Sequence, residues 1–325
     1  MASAESPTPA GMVEGRVVRA DARLFHVEVD GRTLPAAPRG KLFEELGRRK
    51  NPVAVGDLVR LDVSGTPASI EEVLPRRNYL GRLASAHDPR EQVLVANVDQ
   101  LFVIGSLRKP GFSSNRTDRI LAACFWHDIP AVLVLNKIDL ARPGEVEDIR
   151  ATYELAGVDV LATCATEGIG IDALRERLRD KVSVFYGASG AGKSSLLNAI
   201  QPGLNIKVGK ISRYWETGKH TTTFSQLHRL DLGGWVIDTP GIRVFRLHGL
   251  TPGELRGLFP EFASFAARCR YPDCSHDHEP ECAVFDAVEA GEIPHTRYAS
   301  YVEMLDEMTE PVEEEVPLDP EQEGD

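Results

Sequence analysis

The chain has 325 residues, 42% of them hydrophobic and 26% charged, and a formal net charge of −12. This length allows two or three domains with buried cores, whereas the composition by itself names no functional class. The longest apolar runs fall well short of the roughly 20 residues that span a bilayer, so no membrane span is predicted. The N-terminus lacks a basic start followed by an apolar stretch, so no secretory signal is predicted. The sequence therefore predicts a cytoplasmic protein.

The first predicted domain covers residues 13–83, after a flexible N-terminus at residues 1–12. Short β-strand patterns follow one another here, and Asp30-Gly31 is typical of a two-residue hairpin turn. Several short strands with turn signals within about seventy residues predict a small barrel of the OB type. Residues 32–50 contain six Lys or Arg against two Glu, which fits either a modest RNA-binding surface or a solvated charged face.

Residues 84–250 alternate between strand and helix patterns. Buried strands are predicted at residues 100–104, 131–135, 159–162, 182–185 and 235–237. Helices are predicted between them, at residues 117–126, 144–155 and 171–179. This alternation predicts an α/β domain, built on a parallel sheet with helices on both faces.

A candidate base-reading loop follows the second of these strands. It consists of four residues with the pattern N-K-x-D, namely Asn136, Lys137, Ile138 and Asp139. The carboxylate of Asp139 can accept hydrogen bonds from the ring N–H and the exocyclic amine of guanine. Adenine offers neither donor there, and a buried polar group left unpaired costs about 1–3 kcal/mol. The motif therefore predicts guanine selectivity, and residues 163–165 are a further candidate for a backbone contact to the base.

A glycine-rich phosphate loop follows the strand at residues 182–185. It has the pattern G-x-x-x-x-G-K-S and comprises Gly187, Ala188, Ser189, Gly190, Ala191, Gly192, Lys193 and Ser194, with Ser195 opening a predicted helix. In this setting backbone N–H groups surround the phosphate oxygens, and the helix N-terminus adds partial positive charge. Lys193 is predicted to reach the β- and γ-phosphates, and the Ser194 hydroxyl is predicted to coordinate Mg²⁺.

The D-T-P-G motif at residues 238–241 follows the last predicted strand. Its Asp238 would face Mg²⁺ through water, and the amide of Gly241 would sense the γ-phosphate. In ordinary GTPases the base-reading motif comes after D-x-x-G, whereas here it precedes the phosphate loop. The same sheet can be built with the chain cut elsewhere, so the sequence predicts a circularly permuted GTPase domain.

The segment GKHTTT at residues 218–223 is the candidate first switch. A threonine in this loop would close over Mg²⁺ and the γ-phosphate, and Thr222 is the first choice, with Thr221 second. Ile242 stands where many GTPases carry a glutamine that orients the attacking water. His220 is the predicted substitute, and the alternative is an exposed histidine in a polar loop.

A compact set of metal-ligand types characterises residues 251–308, which are predicted to form a mostly helical domain. Within fourteen residues lie three cysteines and a histidine, Cys269, Cys274, His276 and Cys282. Three thiolates and one imidazole make a complete tetrahedral set, which fits one structural zinc ion. His278 is an alternative for the imidazole. The total of five cysteines is odd, so a disulfide framework is not expected.

The C-terminal end carries most of the net charge. Residues 306–325 hold ten Asp or Glu and no Lys or Arg, so the remaining 305 residues sum to only −2. A segment so rich in Glu and Pro buries too little apolar surface to fold, and residues 309–325 are predicted to be a disordered acidic tail. The acidic total therefore does not exclude a nucleic-acid-binding body.

Together these features resemble the RsgA (YjeQ) family of circularly permuted GTPases that depend on the small ribosomal subunit. The stretches that match are NKID, GASGAGKSSLLN, GKHTTT, DTPG and C-x4-C-x-H-x5-C, with RGK at 39–41, GDLV at 56–59 and LPRRN at 74–78 in the barrel. Two residues depart from the family pattern: Ala188 and Ala191 stand where Gln and Val are common. Neither change removes a phosphate-facing N–H.

The resemblance implies an OB domain, a permuted GTPase domain and a zinc-binding domain. It also implies that the protein binds the small subunit and its rRNA and acts in late maturation of that subunit, with subunit binding stimulating GTP hydrolysis. By the same resemblance His220 orients water, and the four Cys and His residues bind zinc. The protein is expected to act as a monomer.

Two other functions fit parts of the sequence. A permuted GTPase could serve large-subunit assembly, but the barrel and the zinc cluster together count against it. A non-hydrolysing, RNA-binding zinc protein could retain a P-loop fold, but the four intact site residues Lys193, Ser194, Asp238 and Asp139 argue against a dead site.

Overall fold

A computed structural model describes residues 11–21, 24–40, 52–85, 88–204, 226–238 and 250–309, with the backbone alone for 82–85, 88–91 and 238. The chain divides into two compact units, residues 1–249 and 250–325. Among the described residues, no helix has both the length and the apolar character that a membrane crossing requires. The predicted division into five segments stays a proposal.

The first unit opens with a closed barrel, which confirms the predicted barrel architecture. Its strands run in the order β1-β2-β3-β5-β4 and are β1 Met12–Ala20, β2 Phe25–Val29, β3 Arg32–Pro38, β4 Leu58–Asp62 and β5 Ala68–Val73. Asp30 and Gly31 have φ of 47° and 80°, so the turn between β2 and β3 takes the left-handed conformation that short hairpins prefer. The barrel core contains Val17, Val27 and Leu61, all 0% exposed.

A separate hairpin connects the barrel to the next sheet. Strands β6 Tyr79–Ser85 and β7 Asp88–Ala96 pair antiparallel with each other, outside the barrel, so the proposed boundary between residues 83 and 84 falls inside β6.

A buried ion pair holds the start of this connection. Nε and Nη2 of Arg76 each donate to an Asp57 carboxylate oxygen at 2.7 Å, and the Asp57 side chain is 0% exposed. This bidentate pair fixes the connecting chain to the barrel.

The nucleotide-binding half is a six-stranded sheet in the order β10-β9-β8-β11-β13-β12. Its strands are β8 Gln100–Ser106, β9 Ala131–Asn136, β10 Asp159–Thr163, β11 Val182–Gly187, β12 Leu227–Arg229 and β13 Trp235–Asp238. All neighbouring pairs are parallel except β12 with β13. The helices are α1 Ser114–Trp126, α2 Glu145–Glu154, α3 Ile171–Leu178 and α4 Lys193–Ile200.

This sheet confirms the predicted α/β architecture. One buried cluster includes Leu133 and Val184, and a second includes Val134 and Phe185, so successive residues of the same strands serve two different cores. Helix α1 begins three residues earlier than predicted because Ser113 caps it, accepting the N–H of Arg116 at 3.4 Å. The parallel register gathers the carboxyl ends of the strands at one edge of the sheet.

The second unit is a small helical region, as predicted. Its helices are α5 Pro252–Leu255, α6 Ala263–Ala266, α7 Ala283–Glu289 and α8 His295–Thr309. Phe259, Phe262 and Tyr301 pack in its centre, with ring centroids 5.2–5.3 Å apart. Nε of Arg297 donates to Glu261 at 2.6 Å, and the two side chains are only 1% and 5% exposed. Removing one partner of such a buried pair typically costs about 3–5 kcal/mol.

Candidate nucleotide site and metal cluster

The predicted motifs meet at the carboxyl edge of the nucleotide sheet. Asn136 ends β9 and lies opposite Thr163 at the end of β10. The phosphate loop leaves β11, and Asp238 ends the adjacent β13, opposite Phe185. Motifs separated by up to about a hundred residues in the sequence therefore lie next to one another in the fold.

Asn136 ties the base-reading loop to the phosphate loop. Its side chain is buried, and its Nδ2 donates to the Ala191 carbonyl at 3.0 Å, while Thr163 Oγ1 donates to its Oδ1 at 3.3 Å. Gly192 has φ of 99°, and a Cβ there would lie 2.2 Å from Asn136 Nδ2. A glycine is therefore required at 192 on both conformational and steric grounds.

Lys137 adds a second link between the same loops. Its Nζ donates to the carbonyls of Gly190 at 2.7 Å, Lys109 at 2.5 Å and Arg108 at 3.3 Å. Partial burial lowers the pKa of Lys137, the Lys109 ammonium lowers it further, and Asp139 opposes the shift. The amine thus joins three loops at once: the base-reading loop, the phosphate loop and the loop that follows β8.

Asp139 lies exposed in a short 3₁₀ turn, Ile138–Leu140, beside the segment that was a further candidate for the base contact. Cys164 is 1% exposed, and its Sγ lies 3.1 Å from Asp139 Oδ1 and 3.2 Å from Thr166 Oγ1. Its backbone exchanges two hydrogen bonds with Ile169, at 3.0 and 3.1 Å. The structure therefore brings residues 139 and 164 together through a side-chain contact that the sequence did not indicate.

The phosphate loop has the geometry of an anion cradle. Gly190 and Gly192 both have positive φ, which turns successive N–H groups toward one side. Lys193 opens α4, and its Nζ lies 2.8 Å from the Gly187 carbonyl and 3.3 Å from that of Ala188, so the ammonium lies across the loop. Ser194 and Ser195 follow it in the first turn of α4.

The two alanines of the phosphate loop point into the protein core. Ala191 is 1% exposed and belongs to the buried cluster that contains Leu196 and Leu197, and Ala188 packs against the same cluster. Their side chains therefore fill the space beneath the loop. Substitutions at these two positions alter packing and leave the backbone donors in place.

An ion pair near the site was not predicted. Arg108, in the loop after β8, donates through Nη1 and Nη2 to the two carboxylate oxygens of Glu145, at 2.8 Å each. The hydrogen bonds from Arg108, together with one from the Arg142 N–H, lower the pKa of Glu145 to about 2. Because Glu145 opens α2 directly after the base-reading loop, the pair braces that loop. The partners are 37 residues apart, and no local pattern connects them.

Several predicted site residues lie outside the described part of the chain. These are His220, Thr221, Thr222 and Gly241. Asp238 is placed by its backbone at the end of β13. Their roles stay predictions.

The second unit brings the four metal-ligand candidates together. One ligand atom from each of Cys269, Cys274, His276 and Cys282 lies within 4.8 Å of the others. His276 Nδ1 is 3.6 Å from both the Cys269 and the Cys282 sulfur. The alternative imidazole, His278, lies outside this cluster, since its side chain is 79% exposed and its Nδ1 contacts Asp277 at 3.1 Å. The cluster could hold a metal ion, with His276 as its imidazole.

Backbone carbonyls around the cluster are fixed by side chains from the surrounding elements. The Tyr298 hydroxyl on α8 donates to the His276 carbonyl at 2.8 Å, and Arg256 Nη1 donates to the Cys274 carbonyl at 3.0 Å. The Cys282 sulfur accepts the N–H of Phe285 at 3.4 Å and so caps α7. A metal ion here would connect the loop at residues 269–282 to α7 and α8.

Comparison with known proteins gives consistent matches. The family model described as RsgA GTPase matches residues 73–248. "Small ribosomal subunit biogenesis GTPase RsgA 2" of Bacteroides thetaiotaomicron is 38% identical over 304 residues, covering 92% of this chain and 98% of the relative. "Small ribosomal subunit biogenesis GTPase RsgA" of Chlorobaculum tepidum is 39% identical, covering 92% of this chain and 99% of the relative.

Two solved structures match most of the chain. YjeQ from Thermotoga maritima superposes with a TM-score of 0.73 at 35% identity, covering 91% of this chain and 98% of that one. YloQ, described as a circularly permuted GTPase, gives a TM-score of 0.70 at 28% identity and covers 95% and 99% of the two chains. The similarity therefore includes the barrel, the nucleotide sheet and the C-terminal unit.

Proposed function

This chain belongs to the RsgA GTPase family, and on that premise we propose that it hydrolyses GTP to GDP and phosphate during late maturation of the small ribosomal subunit, with turnover stimulated by that subunit. The observation that carries the proposal is the joining of the two nucleotide loops. Asn136 bonds to Ala191, and Lys137 bonds to Gly190. These contacts set the distance between Asp139, the base reader, and Lys193, the phosphate ligand.

The proposed mechanism relies mainly on positioning and on charge. Phosphoryl transfer needs an in-line nucleophile and stabilisation of charge on the phosphate oxygens. The N–H groups of the phosphate loop and Lys193 would bind the β- and γ-phosphates. Ser194 and Thr222 would hold Mg²⁺, with Asp238 facing it through water, and the ion would neutralise developing phosphate charge. His220 would orient the attacking water, and the amide of Gly241 would bind the γ-phosphate.

The Cys₃His cluster is proposed to bind one structural zinc ion. Soft thiolates favour zinc over Mg²⁺ or Ca²⁺, and four protein ligands leave no open coordination position for catalysis. His276 and Cys282 are 1% and 4% exposed, so the thiolate and imidazole donors are well shielded from solvent. The ion would compensate for the small core of a unit whose described residues number only 60.

The barrel is the proposed contact for ribosomal RNA, and the protein is proposed to act as a cytoplasmic monomer. Of the basic residues at 32–50, the structure describes Arg32 and Arg39. The Arg39 side chain is 69% exposed and bonds to Glu71 at 2.6 Å. Because the Arg39 guanidinium is accessible to solvent, an RNA phosphate could bind it in place of the carboxylate.

Subunit-coupled hydrolysis is tested by measuring GTP turnover of the purified chain alone, with small subunits and with large subunits. We expect strong stimulation by small subunits only. Equal, slow turnover in all three reactions would contradict subunit coupling while leaving the GTP site in place. Stimulation by large subunits alone would favour the large-subunit alternative, and absence of any hydrolysis would favour the non-hydrolysing one.

Replacing His220 with alanine is expected to lower stimulated turnover by about 10²-fold, the lower end of what positioned acid–base groups contribute. Because His220 is proposed to contact water and not the nucleotide, GTP affinity should change by less than about twofold. Single-turnover hydrolysis and equilibrium GTP titration separate the two quantities. His295→Ala, at an exposed position in the second unit, is the matched control. Equal turnover of His220→Ala and the control would remove His220 from the mechanism.

A further inference from the structure

The first strand of the barrel contributes to two hydrophobic cores. Val17, 0% exposed, packs inside the barrel with Val27. Val18, 6% exposed, belongs instead to a larger buried cluster that includes Leu80 of β6 as well as Val184 and Ile237 of the nucleotide sheet. The register of β1 against β2 shifts between Val17 and Arg19, which marks a bulge at this point, and bulges re-aim side chains. Strand β1 therefore contributes buried side chains both to the barrel core and to the cluster shared with the nucleotide sheet.

The contact continues onto β12. Arg19 forms an antiparallel β-bridge with Gln226, the residue that precedes β12. Leu227, 2% exposed, lies in the same buried cluster as Val18. At the far end of β12, Arg229 Nη1 lies 3.7 Å from Glu28 on barrel strand β2. The short strand β12 is thus held by the barrel along its length.

Strand β12 leads directly to the nucleotide site. It is an edge strand of three residues, and within the described sheet its ladder partner is β13. Leu227 lies opposite Ile237, next to Asp238 at the end of β13. Asp238 in turn lies opposite Phe185 on β11, two residues before the phosphate loop begins. Only two strand-to-strand contacts separate the barrel from the predicted Mg²⁺-facing carboxylate.

We propose that β1 positions the catalytic edge of the sheet, so that RNA engaged by the barrel changes GTP turnover through β12 and β13. Val18 is the central positioning residue, since it is the buried β1 member of the cluster shared with the nucleotide sheet, against which Ala20 is only partly buried. The inference rests on the proposed subunit-stimulated GTPase function. Coupling of this kind requires one structural element whose arrangement is changed both by RNA at the barrel and by nucleotide at the sheet edge, and we assign that role to the β1–β12 contact.

The first test compares Val18→Ala with Val17→Ala in the full chain. Both remove the same two methyl groups from adjacent buried residues of one strand, but Val18 belongs to the cluster that includes nucleotide-sheet residues and Val17 to the barrel core. We expect Val18→Ala to lower the ratio of saturated to basal turnover by about fivefold, with the half-saturating subunit concentration unchanged. Val17→Ala should keep that ratio within about twofold of wild type. Equal ratios in the two variants would overturn the proposal.

The second test cross-links the contact between β1 and the start of β12 with a disulfide, where the first test weakens it. Arg19 and Gln226 are β-bridge partners, and cysteines at paired positions of this kind can form a disulfide. The oxidised double variant Arg19→Cys/Gln226→Cys is expected to lose most of its stimulation by small subunits and to recover it on reduction. Wild type under the same oxidant controls for the metal-ligand cysteines. Equal stimulation of the oxidised and reduced forms would overturn the proposal.

The wild-type reaction separates the two possible failures. If small subunits do not stimulate wild type, the proposed function fails and the inference fails with it. If wild type is stimulated while the Val18→Ala ratio and the cross-linked ratio equal the wild-type ratio, only the positioning role of β1 fails.

Discussion

Asp139→Asn is expected to lower GTP affinity by about 10²-fold and to raise affinity for xanthosine triphosphate by a similar factor. The carboxylate accepts from both the ring N–H and the amine of guanine, whereas an asparagine presents an amide N–H₂ to that amine. The variant loses the negative charge that strengthens the bond from the guanine ring N–H, and it leaves the guanine amine without an acceptor. Together these losses weaken GTP binding by about 2–3 kcal/mol. Xanthine carries a carbonyl where guanine carries the amine, so the asparagine amide can donate to it.

Equilibrium titration with both nucleotides measures this change of preference. Asp172→Asn is the matched control, because that aspartate is 94% exposed on α3 and bonds only to a neighbouring arginine on the same helix among the contacts described. Cys164, 3.1 Å from Asp139 Oδ1, can still contact the amide oxygen of the variant, so the loop is expected to keep its shape. Wild-type GTP affinity in Asp139→Asn would show that Asp139 does not read the base.

His276→Asn is expected to abolish metal binding and to unfold the second unit. Structural zinc in small domains contributes about 10–16 kcal/mol of apparent binding free energy, which matches or exceeds the roughly 5–15 kcal/mol that stabilises a typical domain. His276 has φ of 63°, a conformation that asparagine tolerates better than alanine does. The substitution therefore removes the ligand with little added backbone strain.

His278→Asn is the control, at an exposed histidine two residues away. It should keep one bound metal per chain, whereas His276→Asn should keep close to none, as measured by elemental analysis. Amide exchange along α8 reports the folding of the unit, and in His276→Asn it should approach the unprotected rate. Retention of metal by His276→Asn, or its loss from His278→Asn, would contradict the assigned ligand set.

The sequence by itself determined the architecture and the positions of the motifs. An apolar strand followed by a glycine-rich loop and a helix, as at residues 182–200, needs only local patterns to be recognised, and the structure has that order. Asp30-Gly31 likewise specified its turn, because positive φ is a property of those residues themselves. The order of the motifs along the chain was enough to predict the permutation.

Only the tertiary structure decided which side chains meet. The sequence offers both His276 and His278 as the imidazole ligand, because both are histidines that lie between Cys274 and Cys282. Only the folded loop distinguishes them: it brings His276 into the cluster of cysteines and leaves the His278 side chain exposed. The Cys164–Asp139 contact joins residues 25 apart. Val18 reads as one more apolar strand residue, yet it is buried in a cluster that it shares with the nucleotide sheet. Local patterns specify backbone conformation and which face of an element is apolar, but the partner of that face depends on how distant elements pack, which no short window of sequence contains.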